Sequence, residues 1–303
     1  MRALDQVRRI LADAGLQAGI VVRDLDDGGT AVLDPARQFP CASLVKVPLA
    51  LATLLRVHRG ELAADQVVVV EPPAARSDTG LGRFRHPVRI AVEDLLELAV
   101  TVSDNVAADA LFALTPPGAV DAELRALGVR GVAVRHRLAD LADTPALRVE
   151  RPYGHLLASR SGTPGDGHAL EQFDVGRANA GSAEGFADLL THLWRPTAVP
   201  AAVAERVRDL LGGNVFGQRL APDLRTDASR WSSKTGTLLT LRHEAGVLEH
   251  ADGTTIAVVV LSASTVAATH QPEAEAALGR CARVLHDALL DEGFSAPGGG
   301  RPG

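Results

Sequence analysis

Strand patterns crowd the two ends of this chain and mostly helical patterns lie between them, so any sheet must be assembled from segments far apart in sequence. Near the start, Ala18–Leu25 and Thr30–Leu33 read as strands joined by Asp26-Asp27-Gly28-Gly29, a hairpin signature. Near the other end, Trp231–Leu238, Arg242–Glu249 and Thr254–Ala263 read as three more, the last two joined through Ala251-Asp252-Gly253. Helical patterns run over 3–14, Val92–Val102, Val106–Leu114, Ala119–Leu127, Ala183–Leu193, Ala201–Leu211 and Pro272–Leu290. This order predicts an α+β fold. A five-stranded antiparallel sheet is flanked by the N- and C-terminal helices, an all-α subdomain is inserted beside it, and a cleft separates the two parts. In residue terms, 1–40 and 226–292 make the α/β part and 41–225 the helical insertion. Residues 293–303, rich in Pro and Gly, form a disordered tail.

With 303 residues, 46% hydrophobic content and 22% charge, the chain can bury a sizeable core. A formal charge of −6 and 3% aromatic residues leave neither an electrostatic footprint nor a stacking platform for nucleic acid. No segment reaches the roughly 18 apolar residues that span a bilayer. The opening MRALDQVRRILADAG mixes acidic and basic residues and lacks the apolar core of a secretory signal, so a cytoplasmic location away from membranes is expected. Cys41 and Cys281 imply no disulfide framework, and Cys41 reads as a small buried hydrophobe. The ten histidines include no H-E-x-x-H and no Cys/His cluster, and no glycine-rich phosphate loop is present, so neither a metal nor a cofactor is expected. Trp194, Trp231 and Tyr153 are scattered and read as packing residues.

The chemistry concentrates in Ser43-Leu44-Val45-Lys46, which sets a hydroxyl and an amine one turn apart at the start of an apolar helix. The run from Val47 to Leu55 has no polar stripe, which puts that helix in the core and Lys46 in a desolvated position. Desolvation disfavours the ammonium form, so Lys46 can accept the Ser43 proton, while the helix N-terminus favours negative charge developing at Ser43. A Ser N-cap with a snorkelling Lys is the competing reading of these four residues alone.

Two further segments, Ser103-Asp104-Asn105 and Lys234-Thr235-Gly236-Thr237, follow in order. With S-x-x-K they make a set by which the chain resembles the class A β-lactamases and penicillin-binding proteins, from about Gln17 to the last helix near Leu290. The resemblance implies that Ser43 attacks an amide, lactam or ester carbonyl, that Lys46 takes its proton, and that Ser103 with Lys234 relays a proton to the leaving atom. It implies an oxyanion hole from the backbone N–H groups of Ser43 and Thr237. Asn105 would hold Lys46 and a substrate amide, and Thr235, Gly236 and Thr237 would line the substrate site with Lys234. Arg242, on the next strand, is the candidate for a substrate carboxylate, against the alternative of a solvated strand-end arginine. Asp104 reads as the N-cap of the helix that follows.

The family's E-x-x-L-N motif, which positions the hydrolytic water in β-lactamases, has no counterpart here. Val132–Leu141 occupies its expected place without a glutamate, and Glu150, Asp166, His168 and Glu171 in the stretch that follows are candidate substitutes. The expectation is a β-lactamase-like serine acyl hydrolase working on a small-molecule acyl substrate, a poor hydrolase of penicillins. An acyltransferase of a biosynthetic pathway, a penicillin-binding peptidase and a non-catalytic binding protein are the alternatives.

Overall fold

The computed structural model describes residues 2–73, 79–141, 153–160, 167–168 and 170–291; the tail 293–303 and the candidates Glu150 and Asp166 lie outside them. Strands β1 (Leu16–Asp24) and β2 (Thr30–Leu33) follow a first helix, Arg2–Asp13, and the short β3 (Gln38–Pro40) leads into the buried helix Lys46–His58. A hairpin of β4 (Val67–Val70) and β5 (Val88–Ala91) precedes the helices Val92–Thr101, Asn105–Leu114 and Pro117–Ala126. After β6 (Val132–Ala133) and β7 (Ala180–Ser182) come the helices Ala183–Trp194 and Ala201–Gly212, then β8 (Ser229–Leu238), β9 (Leu241–His250), β10 (Thr255–Ser264) and the last helix, Pro272–Asp291. The main sheet has five strands in the order β2-β1-β10-β9-β8, all antiparallel, as the split strand pattern predicts.

Strand β10 shows why the sheet is central. Its run of Ile, Val and Leu is apolar on both faces, and successive side chains of a strand point to opposite sides. Ala257, Val259 and Leu261 join a core shared with the inserted helices, whereas Ile256, Val258 and Val260 join a second core under the terminal helices. On the last helix Ala274, Leu278, Ala282, Leu285 and Leu289 recur at helical spacing and fill that second core with Ile20 and Val22 of β1. The turns obey their local chemistry. Asp24 Oδ1 accepts the Asp26 N–H at 2.7 Å between β1 and β2, and Gly253 takes φ 95° between β9 and β10.

Two small sheets escaped the sequence reading. Strand β7 pairs with β3 and β6 in segments of two or three residues, too short for an alternating pattern to register. The β4–β5 hairpin leaves Val67 and Val69 half exposed, so its valine run carries no polar face either. The serine turn also differs from expectation. Ala42–Val45 forms one turn of 3₁₀ helix and the α-helix starts at Lys46, so Ser43 stands just before the helix rather than opening it.

The two-core arrangement makes the outer face of β1 independent of the cleft. Ile20→Ala, at a fully buried position of the second core, is expected to lower unfolding stability by about 2–5 kcal/mol in urea titrations; an unchanged midpoint would show that the terminal helices do not seal the sheet.

Candidate active site

The serine turn is pinned from both sides of the molecule. Cys41 N–H donates to Asn179 O at 2.8 Å, linking it to the segment before β7, while His243 Nε2 on β9 bonds Pro40 O at 2.9 Å. Ala42 adopts φ 46°, a left-handed conformation that non-glycine residues rarely take and that the surrounding bonds must hold. Leu44 and Val45 are fully buried below the turn, and Ser43 is left at the wall of a pocket of about 240 Å³. Gly236 of β8 lies beneath. A Cβ there would meet Cys41 O at 3.0 Å and the Leu44 side chain at 3.2 Å, so its role is to let the strand approach the turn.

Lys46 is fully buried, and its amine reaches across to the loop before the helix Asn105–Leu114. Its Nζ bonds Ser103 O at 2.5 Å, Asn105 Oδ1 at 2.7 Å and Ser103 Oγ at 3.2 Å. Ser103 has φ 58°, and Asp104 behind it caps the helix by accepting the Val106 and Ala107 N–H groups at 2.8 and 3.2 Å, as the sequence predicts. The same carboxylate also takes the Leu81 N–H at 2.5 Å. From the other side Lys234, equally buried, donates to Ser103 Oγ at 3.0 Å and to Thr235 O at 2.9 Å. One hydroxyl therefore lies between two desolvated amines. Among the described residues, Lys46 has no hydrogen bond to Ser43 Oγ.

Burial pushes the Lys46 pKa well below its ordinary value, and the neighbouring Lys234 charge pushes it further, against the pull of Asp104 and Asp109. Lys234 is lowered to about 7, first by burial and then by Arg219, with Glu244 opposing. Ser103 O and Asn105 Oδ1 can only accept, so a neutral Lys46 gives its two N–H bonds to them. Its lone pair is then free for a hydroxyl proton. Lys234 donates to Ser103 Oγ from the other side, so a single oxygen lies between two amines whose charged forms burial disfavours.

Arg242 does not line the pocket. Its guanidinium donates to Leu241 O at 2.8 Å, to Thr269 O at 2.9 Å and to Leu239 O, and it pairs with Glu275 at 3.4 Å, so it is neither a solvated arginine nor a pocket residue. The cation beside the lysine strand is Arg219, which carries no motif to mark it. It is buried, donates to Thr237 Oγ1 at 2.6 Å and His243 O at 2.8 Å, and pairs with Glu275 at 3.0 Å. Glu244, buried on β9 opposite Thr235, accepts from Trp231 Nε1, Ser233 Oγ and the Leu220 N–H at 2.8–3.0 Å.

Thr237, Leu238 and Asn105 line the pocket with Ser43, and its far wall comes from His136, Leu138, Gln172 and Asn179. The sequence reading missed His136, Gln172 and Asn179, which belong to loops without periodicity. His136 is not a free base, because Nδ1 meets Arg137 O at 2.7 Å and Nε2 accepts the Asn179 N–H at 2.9 Å. Of the proposed substitutes for the missing glutamate, Glu171 pairs with Arg177 at 3.3 Å, and His168 has both nitrogens bound to the backbone at 3.0 Å; neither lines the Ser43 pocket. Among the described residues no three His, Cys, Asp or Glu side chains converge on a metal position, and no helix is long and apolar enough to cross a membrane.

A profile of the beta-lactamase enzyme family matches residues 2–289. The beta-lactamase regulatory protein BlaB of Streptomyces cacaoi is 48% identical over 304 residues, covering 95% of this chain and 97% of that protein. In fold, the chain is similar to the crystal structure of a beta-lactamase from Chitinophaga pinensis, with TM-score 0.77, 22% identity and coverage of 95% and 99% of the two chains. It is also similar to a mutant of PBP-A in an acyl-enzyme complex with penicillin G, with TM-score 0.75, 16% identity and coverage of 96% and 97%.

His243 offers a test of how the serine turn is held. Its Nδ1 accepts the Ser262 N–H at 3.0 Å while Nε2 serves Pro40, and burial lowers its pKa from 6.5 to about 4. His243→Phe leaves both backbone groups unpaired and is expected to cost about 1–3 kcal/mol at neutral pH. The unfolded chain takes up the imidazole proton first, so the native advantage is full above pH 6.5 and is lost as pH falls through about 4. Urea titrations of both proteins across this window should show their stability gap narrowing; a constant gap would reject the neutral clamp.

Proposed function

The chain belongs to the beta-lactamase enzyme family, and we propose that it uses Ser43 to form an acyl-enzyme with a small amide, ester or lactam and releases the acyl group slowly. The observation that carries this reading is the Ser103 hydroxyl held at 3.2 and 3.0 Å from the buried amines of Lys46 and Lys234, beside the pocket that Ser43 lines. In acylation, Ser43 Oγ attacks the carbonyl carbon and its proton passes to the lone pair of Lys46. The oxyanion is met by the backbone N–H groups of Ser43 and Thr237, both at the pocket wall. Lys46 then returns the proton through Ser103 to the leaving nitrogen or oxygen as the bond to the carbonyl carbon breaks, with cationic Lys234 keeping Ser103 polarised. A substrate carboxylate fits beside Thr235 and Thr237, with the positive charge of Lys234 and of Arg219 behind Thr237.

Deacylation lacks an evident base. The described pocket wall offers no carboxylate, and Gln172, nearly buried at that wall, presents an amide. Intact-mass measurement after exposure to a β-lactam panel and an activated serine probe is expected to show a single adduct on the native chain and none on Ser43→Ala. An unmodified native chain, or equal labelling of the variant, rejects the mechanism. Installing a carboxylate by Gln172→Glu is expected to shorten the adduct lifetime by about 10²–10⁴, the usual worth of a positioned general base; an unchanged lifetime would remove Gln172 from the reactive face.

A second reading draws support from the 48% identity to a protein named a beta-lactamase regulatory protein. In it, the occupied pocket itself is the signal, and release of one product equivalent per chain followed by arrest separates it from steady hydrolysis or from transfer to an added amine.

A further inference from the structure

Away from the serine pocket, two histidines from different elements meet tip to tip. His250 ends β9 and His286 lies near the end of the last helix; their Nε2 atoms are 3.3 Å apart and their ring centroids 5.4 Å apart. We propose that this pair chelates a divalent transition-metal ion of the Zn²⁺ type and fastens the last helix to the end of β9. Two imidazole nitrogens about 2.0–2.1 Å from a tetrahedral Zn²⁺ stand roughly 3.3–3.4 Å apart, so the rings already hold the required bite.

The second feature is orientation. His286 Nδ1 meets Asp287 Oδ1 at 3.1 Å, and the other carboxylate oxygen takes Arg283 Nε at 2.7 Å. A carboxylate on Nδ1–H fixes the tautomer and aims the Nε2 lone pair, the arrangement that supports metal-ligating histidines. That lone pair points at His250. The backbone of His250 is fixed in turn, its N–H donating to Thr254 O at 2.9 Å and its carbonyl accepting the Gly253 N–H at 3.0 Å. Without a cation, His250 donates Nε2–H to His286. On coordination that proton moves to His250 Nδ1, and two neutral rings bind the ion with no net proton released. His286 is buried while His250 is half exposed, so the ion enters from the β9–β10 turn and solvent completes its shell.

The test is titration of untagged full-length protein with Zn²⁺ by calorimetry, with thermal unfolding followed in parallel. The native chain should bind one Zn²⁺ more than His250→Ala and gain melting temperature with Zn²⁺ where that variant does not. Asp287→Asn, which keeps both ligands, should weaken this binding about 10–100-fold. With Cu²⁺ as the probe, electron paramagnetic resonance should show two imidazole nitrogens in the native chain and lose them in His250→Ala. Equal Zn²⁺ stoichiometry and melting behaviour in native and His250→Ala chains, or no Zn²⁺ binding by the native chain, would overturn the proposal.

Discussion

Two fully buried lysines set the terms for this molecule. Moving an ammonium group from water into a protein interior is costly unless it finds partners or sheds its proton, and here both outcomes meet at Ser103. Lys46 is surrounded by acceptors from residues 103 and 105, Lys234 by Ser103 Oγ and the Thr235 carbonyl, and the Lys234 charge holds down the proton affinity of Lys46. The left-handed backbone at Ser103 and the Asp104 cap follow from the same demand, because they fix carbonyl, hydroxyl and amide on one short loop. Replacing Lys46 by an apolar side chain would leave Ser103 O and Asn105 Oδ1 without this donor.

The architecture supplies the dryness this pair requires. The sheet is apolar on both faces, with one core toward the inserted helices and another toward the terminal helices, so Lys234 on the edge strand β8 is backed by packed side chains rather than solvent. The serine turn is then tied to the sheet through His243 and to the helical part through Asn179. Arg219 and Glu244 are both buried near β8, where the first lowers the Lys234 pKa and the second raises it. Burial is the larger cause, and these two groups adjust it.

Much of this was legible in the residues. The five strands and the main helices follow from periodicity because each is long and half or fully buried, and the three motifs mark Lys46, Ser103 and Lys234, which the fold brings together, and Ser43 at the pocket wall. Arg219 was illegible because an arginine in an irregular loop looks like any solvated cation, and only packing reveals that its guanidinium lies behind Thr237. Arg242 differs for the complementary reason: it stands opposite Thr237 in the sheet, but its side chain turns toward Glu275 and the carbonyls at the strand end. His136, Gln172 and Asn179 reach the pocket from loops whose paths are set by long-range bonds such as Arg135 N–H to Asn179 Oδ1 at 2.7 Å, a contact that no local pattern encodes.

The pairing of Leu16 with Ser264 has a consequence for biogenesis. During synthesis the first strand, the serine turn and the Ser103 loop all leave the ribosome long before β8 and β10 exist, so the nascent chain carries an open apolar sheet edge and an amine without its counterpart. Contacts of such sequence separation form slowly, because loop closure must come before any reward from pairing. The meeting of the two amines therefore arrives abruptly, with the last strands, and a truncated translation product retaining the SxxK segment would lack it and be prone to aggregate.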